Sequence, residues 1–376
     1  MLEAIGVMYN GVWGPLRLLG SYAVLMSIGA LGAGLLVQRA LPRLWDSLPR
    51  DRGKEILGKE GLDSKNKPTG AGNVIVSIAL IVMAFVVPWT WDVAGAVACL
   101  FFAMKCGYWD DAAPQPWGRV KKGILDAVAS IGVAAFLYFG MTYGTGDLRH
   151  VAVWLPFHKQ IIMVPWAVYI PLGAFFLWFV MNATNCSDGV DSLTGTLSVI
   201  SLVCFAAVLY LVIGNTRIAH YFLIDVGGTM SRNAARWAVV TMTSAGAFAG
   251  YLWWNAYPSN VLMGDAGSRY LGLLAGAAAL ATGNPLLILV FMAVPMVNGG
   301  TGLGKIVLLK FLHKAGVDTA EGSSNIFVRI LNAVRCPLHD HCGKKWGWSK
   351  PQIFLRFTLL QLFLIPLLFV IFVKIR

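Results

Sequence analysis

Long apolar stretches alternate with short polar links along most of the chain. A helix that crosses a bilayer needs about 20 mostly apolar residues, and ten stretches approach or exceed that length. They cover residues 17–39, 73–91, 93–107, 123–143, 161–181, 193–214, 236–254, 268–283, 285–309 and 353–374. The pattern predicts an all-α integral membrane protein of about ten transmembrane helices, forming a single polytopic membrane domain over residues 1–376.

Lysine and arginine are concentrated in two of the links between these stretches. The link 40–72, which includes Lys54 and Lys59, and the link 305–352 both follow an odd-numbered stretch and both are basic. The link 215–235 follows an even-numbered stretch and is less basic. Because basic loops accumulate on the cytoplasmic side, we expect the first two links to be cytoplasmic and both chain termini to be extracytoplasmic.

Composition agrees with a membrane environment. The chain is 57% hydrophobic and 13% charged, with a mean hydropathy of +0.67, whereas a soluble domain averages about 45–50% apolar and about 25% charged residues. The net charge of +12 would suggest nucleic acid in a soluble protein. Here the charge lies between apolar runs, which favours a membrane surface and no nucleic-acid partner. The six cysteines show no disulfide framework.

Acidic residues are scarce, and several follow apolar stretches on the predicted cytoplasmic side. Those after the third, fifth and seventh stretches are Asp110, Asp111, Asp188, Asp191 and Asp265. Carboxylates gathered at one membrane face repel one another unless a cation neutralises them, and hard oxygen ligands suit Mg²⁺. The sequence therefore predicts a Mg²⁺-dependent site at this face.

Solvated acids that merely end helices are the alternative interpretation. We prefer it for Asp126 and Asp147, which stand alone, but not for the acidic pairs, whose neighbours are apolar or small.

The segment 182–191 is the richest in polar groups next to an apolar stretch. Spacings of three place Asn182, Asn185, Asp188 and Asp191 near one face of a helix, if the helix continues past Gly189. Placing such a row of polar side chains beside a membrane costs free energy unless a ligand binds them.

Two further segments carry candidate chemistry. In 263–268, glycines flank Asp265 at a predicted helix start, where backbone N–H groups can bind phosphate; a simple helix cap is the alternative. In 336–342 the spacing C-x2-H-x-H-C matches no usual zinc pattern. We interpret His339 and His341 as phosphate or substrate contacts, with buried structural histidines as the alternative.

Four segments together resemble a known family. They are WDD at 109–111, NATNCSDGVDSLTG at 182–195, NAYPSNVLMGDAGSRYLG at 255–272 and PLHDHCGKKWGWSKPQIFLRF at 337–357. They are similar to the polyprenyl-phosphate N-acetylhexosamine-1-phosphate transferases, and the last segment favours the phospho-N-acetylmuramoyl-pentapeptide transferase branch.

The resemblance implies a reaction and an architecture. UDP-MurNAc-pentapeptide and undecaprenyl phosphate would give lipid I and UMP with Mg²⁺, the first membrane step of peptidoglycan synthesis in cell wall biogenesis. The family forms homodimers of ten-helix subunits in the bacterial inner membrane, with a cytoplasmic active-site cleft and a broken ninth helix. Gly299 to Gly302 fit such a break. Inhibition by nucleoside antibiotics is implied in the same way.

The resemblance also implies roles for individual residues. Asp265 would be the main Mg²⁺ ligand, supported by Asp111 and Asp188, while Asp110 would deprotonate or orient the lipid phosphate. His339 would act at the phosphates. Substrate contacts would come from Asn182, Asn185, Asp188, Asp191, Asn255, Gly264 and His341.

Some positions depart from the family pattern. The lysine that usually follows the paired aspartates is absent, so Lys121 or Lys122 would supply a phosphate contact. The first-loop motif retains Thr69 as a substrate contact, and Leu262 replaces the aromatic residue expected near uracil.

Two other functions stay open at this point. One is the related N-acetylglucosamine-1-phosphate transferase activity, which uses the same aspartates. The other is a membrane transporter, although its polar groups would be expected near the bilayer midplane rather than at helix ends. The sequence also leaves open whether the lipid phosphate attacks directly or an aspartate first forms a phospho-enzyme.

Overall fold

The structure is a computed structural model that describes residues 1–9, 14–53, 64–143, 149–158, 160–221, 228–320 and 325–371. Three residues discussed above, Lys54, Lys59 and Asp147, lie outside this described part, as does the end of the tenth predicted stretch.

The described part of the chain is mostly helical. Its α-helices are α1 (Leu2–Met8), α2 (Tyr22–Leu44), α3 (Gly72–Val86), α4 (Trp91–Ala112), α5 (Arg119–Thr142), α6 (Trp166–Ser187), α7 (Leu193–Ala207), α8 (Thr216–Tyr221), α9 (Gly228–Asn255), α10 (Gly264–Ala281), α11 (Ile288–Phe291), α12 (Ala293–Lys314), α13 (Ile326–Ala333), α14 (Leu338–Trp346) and α15 (Lys350–Phe369). Strands β1 (His150–Val153) and β2 (Ile162–Pro165) form one antiparallel pair in which His150 lies opposite Pro165.

Each of the ten predicted stretches contains a helix, and the protein is a helical membrane protein. By length and composition, five of the described helical segments can cross a membrane: Tyr22–Ser47, Arg119–Thr142, Trp166–Ser187, Leu193–Ile213 and Lys350–Phe369. A sixth is added if the bent pair Pro285–Phe291 and Ala293–Lys314 is one span. The remaining predicted spans are shorter or more polar, so their number and orientation stay predictions.

Helix α10 lies at the centre of the molecule. Every residue from Ala266 to Ala281 is buried, and most are glycine, alanine or leucine. Small residues let helices approach closely: a side chain at Gly272 would collide with the backbone of Met181 in α6, and one at Gly107 in α4 would collide with the backbone of Asp265. This packing brings the start of α10 against the end of α4.

The ninth stretch is bent by 105° between α11 and α12. The bend lies at Met292, and α12 continues through Gly299 and Gly300, so the prediction of a break at Gly299–Gly302 was wrong. Those glycines instead permit close packing, because a Cβ at Gly299 would overlap the carbonyl oxygen of Ala183.

Gln361 of α15 supports the bend. Its side chain is fully buried, donates to the carbonyl oxygen of Phe291 (2.7 Å) and accepts from the amide of Val294 (2.9 Å). A polar side chain thus satisfies backbone groups that the interrupted helix leaves unpaired. Inside a bilayer, where water cannot satisfy them, such groups need a protein partner.

Candidate active site

A cleft with a volume of about 240 Å³ opens where several helix ends meet. It is lined by Asp51, Ser64, Lys67, Thr69, Asp111, Asn185, Asp188, Gly189, Val190, Asp191, Tyr251, Asn255, Leu262, Met263, Gly264, Asp265 and Lys350. The lining includes aspartates from the links after the third, fifth and seventh predicted spans. These acids therefore lie at one face of the molecule and share one cleft.

Asp111, at the end of α4, caps the start of α10. Its carboxylate accepts hydrogen bonds from the backbone amides of Asp265 (3.1 Å) and Ala266 (3.2 Å). Two unpaired N–H groups of the helix are thereby satisfied, and the negative charge lies at the positive end of the helix dipole. The helix-cap role that the sequence offered for Asp265 belongs to Asp111.

Glycines make this close approach possible. Gly264 has φ +68° and Gly70 has φ +72°, both in the left-handed region that favours glycine. A Cβ on Gly264 would collide with the Asp111 carboxylate and with the amide nitrogen of Gly70. The turn before α10 and the loop before α3 therefore enclose the Asp111 side chain.

The pKa of Asp111 is raised well above its usual range. Burial disfavours the ionised carboxylate, and the negative charge of Asp265 adds to this effect, while the two backbone hydrogen bonds oppose it. A cation between the two carboxylates would relieve both penalties.

Asp265, at the first turn of α10, faces two cationic side chains. Its Oδ2 accepts hydrogen bonds from Arg269 (3.1 Å) and Lys122 (3.4 Å). Burial raises the pKa of Asp265, but Arg269 and Lys122 outweigh burial, so its pKa is lowered and the carboxylate stays ionised.

Asp110 lies behind the lining of the cleft. It is buried, forms an ion pair with Lys122 and accepts a hydrogen bond from the amide of Trp117 (2.7 Å). Lys122 thus bridges Asp110 and Asp265, whereas the ammonium of Lys121 lies 3.4 Å from the ring centroid of Trp117. Of the two lysines offered by the sequence, Lys122 is the one directed to the carboxylates.

The segment 182–191 does not form the single helical face that its spacing of three would give on a continuous helix. Helix α6 ends at Ser187, and Asp188 adopts a non-helical backbone with ψ 74°. Asn185 and Asp191 line the cleft, but Asn182 lies deeper, where its amide donates to the carbonyl oxygen of Trp178 (2.9 Å). The helix terminates before the Asp188-Gly189 pair, so the regular spacing of three is lost.

Asn255 and Asp191 fix the loops at the other end of the cleft. The Asn255 side chain accepts from the amide of Ser192 (2.8 Å) and donates to the carbonyl oxygen of Val261 (2.8 Å). Asp191 accepts from the amide of Ser259 (3.2 Å). Although both line the cleft, each already has a structural role.

Thr69, Leu262 and Gly264 reach the cleft because two loops pair through their backbones. The Leu262 amide donates to the carbonyl oxygen of Pro68 (2.8 Å), and the Ala71 amide donates to that of Leu262 (3.2 Å). The first-loop motif and the segment before α10 therefore form one wall of the cleft.

The two histidines have different environments, and both are buried. His339 packs against Gly189 of the cleft, and its ring nitrogen Nδ1 lies 3.2 Å from the side-chain oxygen of Asn298. The Nδ1 of His341 accepts from the amide of Arg335 (3.1 Å). Neither histidine is among the described residues that line the cleft, but His339 contacts one of them. The arrangement of His341 matches the structural alternative.

Three contributors were missed by the sequence analysis. Lys350, at the start of α15, lines the cleft, as does Lys67, which donates to the hydroxyl of Ser259 (3.1 Å). Arg269 was overlooked because it lies within an apolar stretch.

The interpretation of Asp126 as a solvated helix-ending acid was wrong: it is buried and paired with Arg269 at 2.6 Å. The sequence signal for this buried ion pair was Arg269 itself, because a charged residue within an apolar stretch needs a partner.

The carboxylates of the cleft suit a metal ion that also binds to the substrate. Within the described ranges, no group of three or more histidine, cysteine or acidic side chains is arranged to hold a metal, so Asp265, Asp111 and Asp188 do not form a preformed cage. Mg²⁺ usually binds through one or two carboxylates together with water and substrate phosphates. Asp111 and Asp265, adjacent across the α10 N-terminus, provide such a pair.

Comparisons with known proteins identify a matching family and similar sequences over nearly the whole chain. The model of a family described as Glycosyl transferase family 4 matches residues 93–283. The chain is 40% identical over 361 residues to the phospho-N-acetylmuramoyl-pentapeptide-transferases of two strains of Treponema pallidum, one of which is the strain Nichols, covering 96% of this chain and 93% of each relative. A protein of the same name from Borrelia turicatae is 28% identical over 222 residues, covering 59% of this chain and 57% of that relative.

Proposed function

Because the chain belongs to the phospho-N-acetylmuramoyl-pentapeptide transferase family, we propose that it transfers phospho-N-acetylmuramoyl-pentapeptide from its UDP-activated form to undecaprenyl phosphate. The products are lipid I and UMP, and the reaction depends on Mg²⁺. The protein acts in the bacterial inner membrane as a homodimer, with the cleft facing the cytoplasm.

One observation carries the proposal. Acids from three separate links, Asp111, Asp188 and Asp265, line the same cleft beside the N-terminus of α10. Mg²⁺ usually binds one or two carboxylates together with substrate phosphates, and two lysines of the lining, Lys67 and Lys350, supply positive charge for phosphate oxygens. The cleft therefore suits the pyrophosphate of a nucleotide sugar.

Phosphoryl transfer needs alignment and charge neutralisation more than covalent chemistry, and different side chains of the site would supply each of these. Asp111 and Asp265 would hold Mg²⁺, which when bound neutralises the pyrophosphate. Lys122, held between Asp110 and Asp265 behind the lining of the cleft, would supply a positive charge near the phosphates. Asp110 orients Lys122 and, through it, the lipid phosphate.

In the transfer step, an oxygen of the lipid phosphate attacks the β-phosphorus. A new phosphorus–oxygen bond forms to the lipid phosphate, the bond from the β-phosphorus to the UMP oxygen breaks, and UMP leaves with that electron pair. Direct attack is favoured because the lipid phosphate already supplies an oxyanion, and because the carboxylates of Asp110 and Asp111 are each occupied by hydrogen bonds. A burst of UMP without lipid acceptor would contradict direct attack and indicate a phospho-enzyme.

The decisive experiment compares two nucleotide sugars with one lipid. Detergent-purified protein is assayed for UMP release with undecaprenyl phosphate and either UDP-MurNAc-pentapeptide or UDP-N-acetylglucosamine, with and without Mg²⁺. We expect release only with the first substrate and only with Mg²⁺. Release with UDP-N-acetylglucosamine alone would assign the protein to the related transferases. Nucleotide-sugar uptake into proteoliposomes without UMP release would indicate a transporter.

A further inference from the structure

A buried pair of opposite charges lies one helical turn deeper than the carboxylates of the cleft. Arg269 of α10 and Asp126 of α5 are joined at 2.6 Å, and their side chains are 3% and 2% exposed. Neither residue lines the cleft. Ionisable groups inside a membrane bundle are expensive, so their presence calls for a function.

The pair belongs to a regular arrangement of charges between two helices. Lys122 and Asp126 are one turn apart on α5, and Asp265 and Arg269 are one turn apart on α10. Lys122 contacts Asp265, and Arg269 contacts both Asp126 and Asp265. Each charge on one helix therefore faces the opposite charge on the other.

The contacts restrict how the Asp265 carboxylate is oriented. Both cations donate to the same oxygen, Oδ2, so neither of them occupies Oδ1. Asp126 holds the guanidinium from the other side, so that Arg269 is fixed when it binds Asp265. The planar guanidinium suits this double contact in a way that a lysine ammonium does not.

A purely stabilising role does not explain the pair. Replacing a buried ion pair by apolar side chains is often neutral or stabilising. Arg269 is also imperfectly satisfied, because within the described part of the chain its Nε has no hydrogen-bond partner. The pair is better explained by its effect on Asp265, which Arg269 contacts.

We propose that Arg269, anchored by Asp126, is a positioning residue that fixes the Asp265 carboxylate for binding the divalent ion. The inference rests on the proposed function, in which Asp265 is a metal ligand. Side chains that orient a metal ligand typically change metal affinity or activity by about 10–100-fold when mutated.

The test uses the double variant Asp126→Leu/Arg269→Leu, which removes both charges together. Mn²⁺ binding to the purified full-length protein is measured by the EPR signal of free Mn²⁺ in the presence of UMP, and thermal stability is measured in the same detergent. Tyr270→Phe is the matched control, since it removes a buried hydrogen bond to Ser244 from the next residue of α10. We expect the double variant to melt near the wild-type temperature but to bind Mn²⁺ at least about tenfold more weakly. The control keeps wild-type Mn²⁺ affinity.

A second variant covers the case in which the double variant does not fold. Asp126→Asn keeps the shape and a hydrogen-bond acceptor for Arg269 but removes the opposing charge, and it too should weaken Mn²⁺ binding. Wild-type Mn²⁺ affinity in either folded variant would overturn the inference and leave the proposed function intact. A wild-type protein that binds no Mn²⁺ would instead overturn the metal role of Asp265, and this inference with it.

Discussion

Two adjacent lysines at the start of α5 have different partners, and this difference can be tested. Lys122 bridges Asp110 and Asp265, whereas Lys121 covers the ring of Trp117. A hydrogen bond to a charged group contributes about 1.5–3 kcal/mol. Lys122→Met is therefore expected to lower kcat/KM for UMP release by about 10–100-fold.

Lys121→Met is the matched control for this prediction. It removes only a cation–π contact, which contributes about 0.5–1 kcal/mol at an exposed site, so activity should stay close to wild type. Equal losses in the two variants would contradict the assignment of Lys122 to the phosphates.

The raised pKa of Asp111 predicts a pH dependence of stability. The folded protein resists ionising Asp111 because the carboxyl group is buried beside Asp265. Its folded pKa exceeds its unfolded value, so unfolding is favoured increasingly as the pH rises from the unfolded pKa through the folded pKa. Without divalent ions, wild type should therefore lose thermal stability relative to Asp111→Asn over this window.

Melting temperatures of both proteins across acidic to neutral pH give the measurement. Because the two carboxyl groups interact, this difference reports the titration of Asp111 together with its effect on Asp265, whose own pKa is lowered. A difference that does not change with pH would contradict the raised pKa.

At the residue scale, the sequence indicated the carboxylates better than their partners. Asp111 and Asp265 were recognisable because acids are rare and stand at the ends of apolar stretches. Arg269 and Asp126 were missed since their pairing depends on how α5 and α10 pack. Spacing along one chain segment does not reveal contacts between helices.

At the scale of elements, the turn before α10 has a strict requirement for glycine. Gly264 and Gly347 have nearly equal φ values of +68° and +67°, but only Gly264 has neighbours that a Cβ would hit. Alanine in this backbone conformation costs about 1–2 kcal/mol at either position. Gly264→Ala should therefore lose both stability and transferase activity, because the new Cβ displaces Asp111.

Gly347→Ala is the control for Gly264→Ala, because it introduces the same backbone strain without a collision with Asp111. It should lower the melting temperature but preserve kcat and KM. If Gly264→Ala retained wild-type activity, the close packing of Asp111 against this turn would not matter for catalysis.

Helix positions were predictable because apolar stretches of membrane length have few alternatives in lipid. Helix ends and breaks were less predictable. The end of α6 at Ser187 interrupts the polar spacing. The bend at Met292 has its backbone groups paired by Gln361, which is distant in the sequence. Glycines 299 and 300 resembled a break but serve close packing with α6.

At the scale of the whole molecule, the central packing of α10 explains why distant segments form one site. Its small, buried residues allow α4 and α6 to pack closely against it. The carboxylates at the ends of these helices therefore reach a common cleft. The sequence predicted a common membrane face for these acids from the alternation of helices. It did not reveal that cationic side chains would share the site, since those contacts arise only from the folded bundle.

The most direct measurement of this account is the number of Mn²⁺ ions bound per chain in the presence of UMP, determined by equilibrium dialysis. We expect one ion for wild type and for Asp46→Asn, an exposed acid outside the cleft. Asp111→Asn and Asp265→Asn should each lose the ion while remaining folded. Wild-type binding in both cleft variants would contradict the claim that these two helix ends jointly hold the divalent ion.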